Sequence, residues 1–256
     1  MRKKEILLIL FIVLFLNLVA SQIHTIQIIG VQNNLELSNP NLVAHYKFED
    51  NFEDSSENEI HGTNEGAEFA NWEHGKGAMF NGTTSIDFGN SSLLQLVEDV
   101  SFSFWACPNN ISRNTQLIIE KGIVSEYGIA LQPYAGGALM FAQSRNPSLR
   151  FLAFSRIWHN IFKENECVHI VLVRNSLEQT VTLYKNNISL GNGLETNYKD
   201  WITPSPSFGS VKIGNLPPFR NRPSRFGFQG ILDEFKIWNS TLTREEVEEE
   251  YCRLGC

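Results

Sequence analysis

The chain has 256 residues, 42% of them hydrophobic, and carries 28 acidic against 21 basic side chains, a formal net charge of -7. This acidic balance argues against a nucleic-acid partner. Its four cysteines are an even number without C-x-x-C spacing, so we expect disulfides and an oxidising compartment rather than a zinc site.

The N-terminal segment has the three parts of a secretory signal peptide. Basic residues at 2–4 precede an apolar run at 6–20, and Val19-Ala20-Ser21 offers a cleavage site. The alternative is an uncleaved anchor, but the run of 15 residues falls short of the roughly 20 that cross a bilayer. We therefore assign 1–21 to a signal peptide and predict a secreted, extracellular protein with no membrane span after cleavage.

The residues that follow divide into a polar segment and one large domain. Residues 22–40 contain scattered isoleucines, and we interpret them as a linker or an extra edge strand. Residues 41–256 show short alternating runs separated by turn residues, which predicts a single all-β domain. In the first run, Leu42, Ala44, Tyr46 and Phe48 face inwards while Val43, His45 and Lys47 face outwards. Further strands are predicted at 78–81, 85–88, 100–107, 116–121, 127–132, 138–143, 168–174, 180–185, 209–213 and 228–238.

The cysteine positions agree with one pairing of strands. If 101–107 runs antiparallel to 167–174 with partner numbers summing to 274, Phe104 faces Ile170 and Cys107 faces Cys167. Opposed residues in antiparallel strands lie close enough for a disulfide. We therefore favour Cys107–Cys167. Cys252 and Cys256 then pair with each other by default, and a contact with another chain remains open.

The last predicted strand carries a carboxylate on an apolar face. Alternation places Asp233 on the same side as Ile231, Phe235 and Ile237. An unpaired carboxylate is costly to bury, so we expect Asp233 to meet a metal, a cation or several N–H donors.

A short helix is predicted after this strand. Thr243 and Glu246 have the spacing of a capping box, and Leu242 can pack against Val247. Tyr251 lies one turn further on the same side. Five Asn-x-Ser/Thr sequences are possible glycan attachment sites in a eukaryotic secretory route, namely Asn81, Asn90, Asn110, Asn187 and Asn239.

The order of these segments resembles the laminin-G-like jelly roll of the concanavalin A-like lectin/glucanase superfamily, which is related to pentraxins. The resemblance implies an all-β fold, a two-sheet antiparallel jelly-roll sandwich with a short C-terminal helix, whose first and last strands are neighbours. It covers nearly all of residues 42–251 and rests on segments 42–51, 54–58, 61–62, 77–82, 101–105, 168–173 and 228–239.

The resemblance also implies a calcium ion where the first strand ends beside the last strand. The candidate ligands are Glu49, Asn51 and Asn58 from the first loop and Asp233 from the last strand. The family usually has Asp where Glu49 stands. The alternative is structural, with Asp233 accepting hydrogen bonds from loop N–H groups and residues 54–55 closing an Asx-type turn.

Catalysis is not expected, and no catalytic residue is assigned. Glycoside hydrolysis needs two carboxylates that project together, whereas Asp233 and Glu234 point to opposite faces of a strand. Tyr134, Trp158, Trp201 and the arginine-rich loop 219–225 could contact a ligand, or they could fill gaps and pair with surface acids, so the ligand-binding residues stay unassigned.

Two hypotheses on function follow. The first, which we favour, is a non-catalytic recognition module that binds a glycan or an extracellular protein through its loops. The second is a structural or coat protein that self-associates through Cys256 or the segment 22–40. The sequence leaves the oligomeric state open.

Overall fold

The computed structural model describes residues 41–112, 114–122, 127–144, 154–195, 201–204, 209–215 and 226–256. The described residues belong to one compact unit, Asn41–Cys256. The predicted signal peptide at 1–21, the segment 22–40 and the loop 219–225 lie outside them. No helix in the described part is long and apolar enough to cross a membrane.

Strands dominate the described residues. Two helices accompany them, α1 (Tyr134–Gly137) and α2 (Arg244–Cys252), together with a 3-10 turn at Ser92–Leu94. The strands are β1 (Leu42–Tyr46), β2 (Thr63–Glu65), β3 (Glu68–Trp72), β4 (Gly75–Asn81), β5 (Ser85–Asp87), β6 (Val100–Pro108), β7 (Gln116–Lys121), β8 (Tyr127–Gln132), β9 (Ala138–Gln143), β10 (Phe154–Trp158), β11 (Val168–Asn175), β12 (Thr180–Lys185), β13 (Ile188–Ser189), β14 (Leu194–Glu195), β15 (Val211–Ile213), β16 (Phe226–Gly227) and β17 (Gln229–Trp238).

The strands form two sheets. Sheet 1 has the order β13-β12-β11-β6-β17-β4-β3, and β1 also pairs with β17. Sheet 2 has the order β14-β10-β9-β8-β7-β15-β5-β2, and β16 runs parallel to β7. All other strand pairs in the described part are antiparallel. The predicted two-sheet jelly roll with a C-terminal helix is therefore confirmed.

The hydrophobic core lies between the inner faces of the two sheets. Phe102, Phe104 and Phe235 of sheet 1 and Ile129 and Phe141 of sheet 2 are fully buried in it. Aromatic rings stack within it, and the Phe104 and Phe235 ring centroids are 5.2 Å apart. Side chains that alternate across each strand supply this core from one face and leave the other face of each sheet free for different contacts.

The predicted strand register around the first disulfide is confirmed. Phe104 lies opposite Ile170 and Ala106 opposite Val168, so partner numbers sum to 274. Cys107 and Cys167 form a disulfide with a Cα–Cα distance of 4.1 Å. Cys252 and Cys256 form a second disulfide, and all four cysteines of the chain are thus paired.

A bulge in β17 overturns the predicted placement of Asp233. Glu234 has a φ of 47°, and the register with β6 shifts between Asp233 and Lys236, so strict alternation ends there. Leu232 on one side of the bulge and Phe235 on the other both face the core. Asp233 lies directly opposite Trp105, on the outer face of sheet 1. It does not share the face of Phe235 and Ile237 as the sequence analysis expected.

Two smaller expectations also needed correction. Val43 was expected to face outwards but is buried in the core, whereas Leu42 packs on the outer side of sheet 1. The reason is a register shift between Leu42 and Ala44 in the pairing with β17. The strands β2, β3, β10, β13, β14 and β16 were not predicted, because they are short or their polar residues hide the alternation.

Helix α2 lies on the outer face of sheet 1. The Thr243 hydroxyl accepts a hydrogen bond from the Glu246 N–H, and the Glu246 carboxylate accepts one from the Thr243 N–H, which confirms the capping box. Leu242 and Val247 pack in one cluster with Trp238 of β17. The helix therefore covers part of the outer face near the end of the chain.

Candidate functional site

The candidate site lies where β17 changes its partner strand. Residues 229–232 pair with β4, whereas residues 235–238 pair with β1 on the same edge. Asp233 falls between these two stretches. The chain's first and last strands are thus neighbours, as the resemblance implied.

Asp233 is 2% exposed and has one side-chain hydrogen-bond partner among the described residues. The indole N–H of Trp72 donates to its Oδ2 at 2.9 Å, while no described group donates to its Oδ1. Burial raises the pKa of Asp233 to about 8, and the charges of Glu234 and Glu49 add to this, whereas the nearby Glu234 backbone N–H and the Trp72 hydrogen bond oppose it. The carboxyl group is therefore incompletely satisfied.

Trp72 reaches Asp233 across an intervening strand. Trp72 stands on β3 and Asp233 on β17, and β4 runs between them. On β4 the positions beneath the indole are Gly75 and Gly77, which carry no side chain. A Cβ at Gly77 would approach Ile231 Cγ2 at 2.5 Å and Asp233 Cβ at 3.2 Å, so the position admits only glycine.

Aromatic rings surround this contact. We call Trp72, His74 and Trp105 the aromatic corner. The Trp72 and His74 rings meet at 87° with centroids 4.9 Å apart, and each lies within 5.4 Å of the Trp105 ring. Trp105 is 7% exposed and forms the floor, while Trp72 and His74 are half-buried. Tyr251 of α2 stacks on the opposite side of Trp105 with centroids 6.1 Å apart.

A buried charged network adjoins the corner beneath α2. His45 Nε2 lies 2.7 Å from the Glu234 carboxylate, and the Lys236 ammonium lies 2.5 Å from the Glu250 carboxylate and 3.6 Å from that of Glu234. Burial raises the pKa of Glu234, but the His45 hydrogen bond and neighbouring cations outweigh it, so the pKa is lowered overall. The network fastens α2 to the sheet and leaves little room for a ligand.

Ser103 and His169 also form a buried pair there. The Ser103 hydroxyl lies 2.8 Å from His169 Nε2. Both side chains are at most 2% exposed, so no substrate reaches them in this arrangement. The pair resembles a nucleophile and base only in composition.

The first loop is organised by Asp54 rather than by a metal ligand. Asp54 Oδ1 accepts hydrogen bonds from the His45 and Ser56 N–H groups, both at 2.8 Å. Its Oδ2 accepts from the Ser56 hydroxyl at 2.8 Å and the Ile60 N–H at 2.9 Å. The expected Asx-type turn is present, and Ser56 rather than Ser55 donates to Asp54.

Only two of the four predicted calcium ligands come close together. The Glu49 carboxylate lies against Gly75 of β4 and accepts the Lys76 N–H at 3.1 Å. Asp233 lies beside Gly77 of the same strand, so these two carboxylates are close. Asn58 Nδ2 instead donates to the carbonyls of Leu42 and Val43, both at 3.0 Å. Leu42 pairs with Trp238, at the far end of β17 from Asp233. Asn58, which is bonded to Leu42, is therefore roughly 15 Å from Asp233 along β17.

The predicted set therefore does not fit a calcium site as a whole. Asn51 bonds within its own loop, donating to the Glu49 carbonyl at 3.3 Å and accepting the Glu53 N–H at 3.0 Å. Among the described residues, no group of three or more His, Cys, Asp or Glu side chains is placed to hold a metal. Asp233 Oδ1 is the one feature that favours a cation, and calcium stays a prediction of the resemblance.

The other aromatic candidates have structural roles, with one exception. Trp158 is buried and its indole N–H donates to the Gly191 carbonyl at 2.9 Å. Trp201 packs against Phe154 and under the Arg174 guanidinium. Tyr134 is 57% exposed.

The predicted glycan attachment sites differ in their environments. Asn81, Asn90 and Asn239 are exposed, whereas Asn110 and Asn187 are partly buried. The Asn110 amide nitrogen donates to Gln229 Oε1 at 3.2 Å, and the Asn187 amide oxygen accepts from Arg244. Their glycosylation stays a prediction.

The aromatic corner was not predicted from the sequence. Two signals were available, namely the Gly75-x-Gly77 spacing on one strand face and a tryptophan three residues earlier. Neither says that Trp72 reaches Asp233, because the contact depends on the order β3-β4-β17.

Several solved structures share this fold. Domain 4 of AbnA, a GH43 extracellular arabinanase from Geobacillus stearothermophilus solved with arabinotriose, matches with a TM-score of 0.58 and 22% identity over 82% of this chain and 98% of its own. The binding domain of Paraclostridial Mosquitocidal Protein 1 matches with a TM-score of 0.60 and 19% identity, over 84% of this chain and 52% of its own.

A botulinum neurotoxin type C structure, reported with the dependence of cell entry on two ganglioside molecules, matches with a TM-score of 0.60 and 12% identity over 85% of this chain and 52% of its own. This chain thus spans about half of each toxin chain, and these likenesses establish the fold alone. No curated protein matches the sequence significantly. The Laminin_G_3 family profile matches residues 80–248, so the chain belongs to this laminin-G family of the "Concanavalin A-like lectin/glucanases superfamily".

Proposed function

We propose that this protein is a secreted, non-catalytic module that recognises a glycan. The observation that carries the proposal is its family, together with a fold shared over 98% of the length of an arabinanase domain solved with arabinotriose. The half-buried rings of Trp72 and His74 support it, because aromatic faces pack well against the C–H faces of sugars.

The charged groups on the outer face of sheet 2 support a non-catalytic role. Asp87 and Glu65 both pair with the Lys212 ammonium, at 3.0 and 2.6 Å. The hydrogen bonds from Lys212 and Ser85 lower the pKa of Glu65. Glu65 is therefore held ionised in an ion pair, whereas glycoside hydrolysis requires one carboxylic acid that donates a proton.

Secretion is supported by the cysteines. Each disulfide joins two cysteines of this chain, and disulfides persist in oxidising compartments. Expression of the full chain in a secreting host tests this, and we expect a product in the medium that begins near residue 22. Retention of the complete N-terminus in cells would contradict it.

A glycan array probed with the purified protein tests recognition. We expect binding to at least one class of immobilised oligosaccharide. Binding to none, in the presence and in the absence of added calcium, would refute the proposed function.

Calcium stabilisation is a separate part of the proposal, and Asp233 Oδ1 supports it. If a cation binds there, EDTA lowers the melting temperature of the protein and calcium restores it. Asp233→Asn should abolish this response. An unchanged melting curve on chelation would remove the metal from the proposal and leave glycan recognition intact.

A second candidate function, self-association, is favoured by one exposed surface. Ile188 on β13 and Leu194 on β14 are 66% and 58% exposed, Leu190 just after β13 is 41% exposed, and β13 and β14 are edge strands of sheets 1 and 2 in the described part. Exposed apolar residues on an edge strand promote pairing with another chain. Light scattering of the protein and of Ile188→Asp tests this, since self-association predicts an oligomer that the substitution dissociates.

A further inference from the structure

The aromatic corner combines features that a binding site requires. We propose that a neutral glycan binds at the corner, with one face of a sugar ring packed on Trp72 or His74. This inference rests on the proposed function and specifies both the site and the class of glycan. It places the contact on the outer face of sheet 1.

The geometry of the corner is fixed before any ligand arrives. The Asp233 carboxylate holds the Trp72 indole N–H at 2.9 Å, and Trp105 supports both rings from below. Because the Trp72 and His74 rings are nearly perpendicular, at 87°, the flat face of one ring is bordered by the edge of the other. Aromatic groups fixed in this way lose little conformational entropy on binding, which favours affinity.

A polar group beneath the rings has an unfilled hydrogen-bond requirement. Asp233 Oδ1 is buried and has no donor among the described residues, although its other oxygen is bound to Trp72. Buried acceptors without donors are rare in folded proteins. Because Asp233 is 2% exposed, this oxygen is out of reach of a bound sugar, and the contribution of Asp233 to the site is the fixed position of the Trp72 indole.

The charges around the corner favour a neutral ligand. Three acidic residues near the corner are exposed: Glu73 stands between the two rings in the chain, Glu49 lies against Gly75 and Asp50 pairs with Lys76. The nearby ammonium of Lys76 is engaged by Asp50 at 2.5 Å. Carboxylates can accept hydrogen bonds from hydroxyl groups, but they repel sialic acid and sulfate, so acidic glycans should bind less well.

Binding assays with matched sugars and matched variants test the inference. An array bearing arabinotriose, cellotriose, mannotriose, lactose, 3'-sialyllactose and sulfated lactose is probed with the protein and with His74→Ala, Trp72→Ala and Trp72→Phe. His159→Ala, which removes an exposed histidine elsewhere, is the control. Circular dichroism and melting curves of each variant verify that it is folded.

We expect His74→Ala and Trp72→Ala to weaken binding to neutral glycans at least tenfold, while Trp72→Phe retains more binding because it keeps an aromatic face. His159→Ala should bind as the unmodified protein does, and 3'-sialyllactose should bind more weakly than lactose. If His74→Ala and a folded Trp72 variant bind neutral glycans normally, the corner is not the site, although the proposed function survives. A preference for sialylated or sulfated sugars overturns the ligand class, and binding to no sugar overturns both proposals.

Discussion

The ionisation of His169 is governed by its burial beneath α2. Burial lowers the pKa of His169 to about 3, the Lys236 ammonium adds to the shift, and the Glu234 carboxylate opposes it. The folded protein therefore keeps this imidazole neutral, hydrogen-bonded to Ser103. The unfolded chain protonates it near its ordinary value of about 6.5.

This difference predicts a loss of stability in acid. The contribution of His169 is fully present above about pH 6.5 and is lost as the pH falls towards 3, because only the unfolded state binds the proton in that range. Between pH 7 and 4.5, the unfolding free energy should fall by roughly 2 kcal/mol through this group. Urea unfolding at both pH values, compared with that of His169→Gln, isolates this loss, because Asp233 with its raised pKa titrates in the same range with the opposite sign in both proteins.

His169→Gln should remove this acid-induced loss, whereas His159→Gln, at an exposed position, should leave the pH dependence unchanged. Glutamine can still bond to Ser103 but does not titrate. An unchanged slope for His169→Gln would show that His169 does not govern the acid sensitivity.

Among the strands, β4 has a particular role because it lies beneath the Trp72 indole. We predict that Gly77→Ala destabilises the protein by about 2 kcal/mol or more, since the new Cβ would meet Ile231 Cγ2 at 2.5 Å and the Leu232 carbonyl oxygen at 3.0 Å. It should also alter tryptophan fluorescence. Urea unfolding and emission spectra measure the two effects.

Gly89→Ala is the control for this substitution. A Cβ there meets nothing within 4 Å, although the φ of +71° adds some backbone strain. We expect about 1 kcal/mol of destabilisation and an unchanged emission spectrum. Equal effects of the two alanines on both measurements would contradict the proposed crowding under Trp72.

The start of α2 supports a second prediction for single elements. Thr243→Ala removes the hydroxyl that accepts the Glu246 N–H, so the unfolding free energy should fall by about 1 kcal/mol. Glu248→Gln, on the exposed side of the same helix, should change it by less than half as much. Denaturant unfolding compares the two, and equal effects would argue against the cap.

At the scale of the whole molecule, the two disulfides should contribute unequally. Cys107–Cys167 spans 60 residues and joins β6 to the chain just before β11, whereas Cys252–Cys256 spans four. Loop-closure entropy gives about 4 kcal/mol for the first and about 2 kcal/mol for the second. Paired Cys→Ser variants measured by denaturant unfolding test this ranking, and a larger loss from the C-terminal pair would reverse it.

Local patterns in the sequence determined most of the strands, the capping box and the register of β6 with β11. These features depend on residues close together in the chain or on one alternating pattern matched to another, so they could be predicted. The resemblance of segments 42–51 and 228–239 also predicted correctly that the first and last strands are neighbours. The packing of Leu242 against Val247 was likewise predictable, because the two residues lie close together in the chain at the start of α2.

Tertiary structure alone decided the environment of Asp233. The alternation rule fails at Glu234, since a residue with positive φ inserts into the ladder and returns Phe235 to the core. Trp72 meets Asp233 only because β4 lies between their strands and presents glycine beneath the indole. A periodic pattern specifies the face of a residue within an unbroken strand, but a bulge and the order of strands are set by the packing of distant segments.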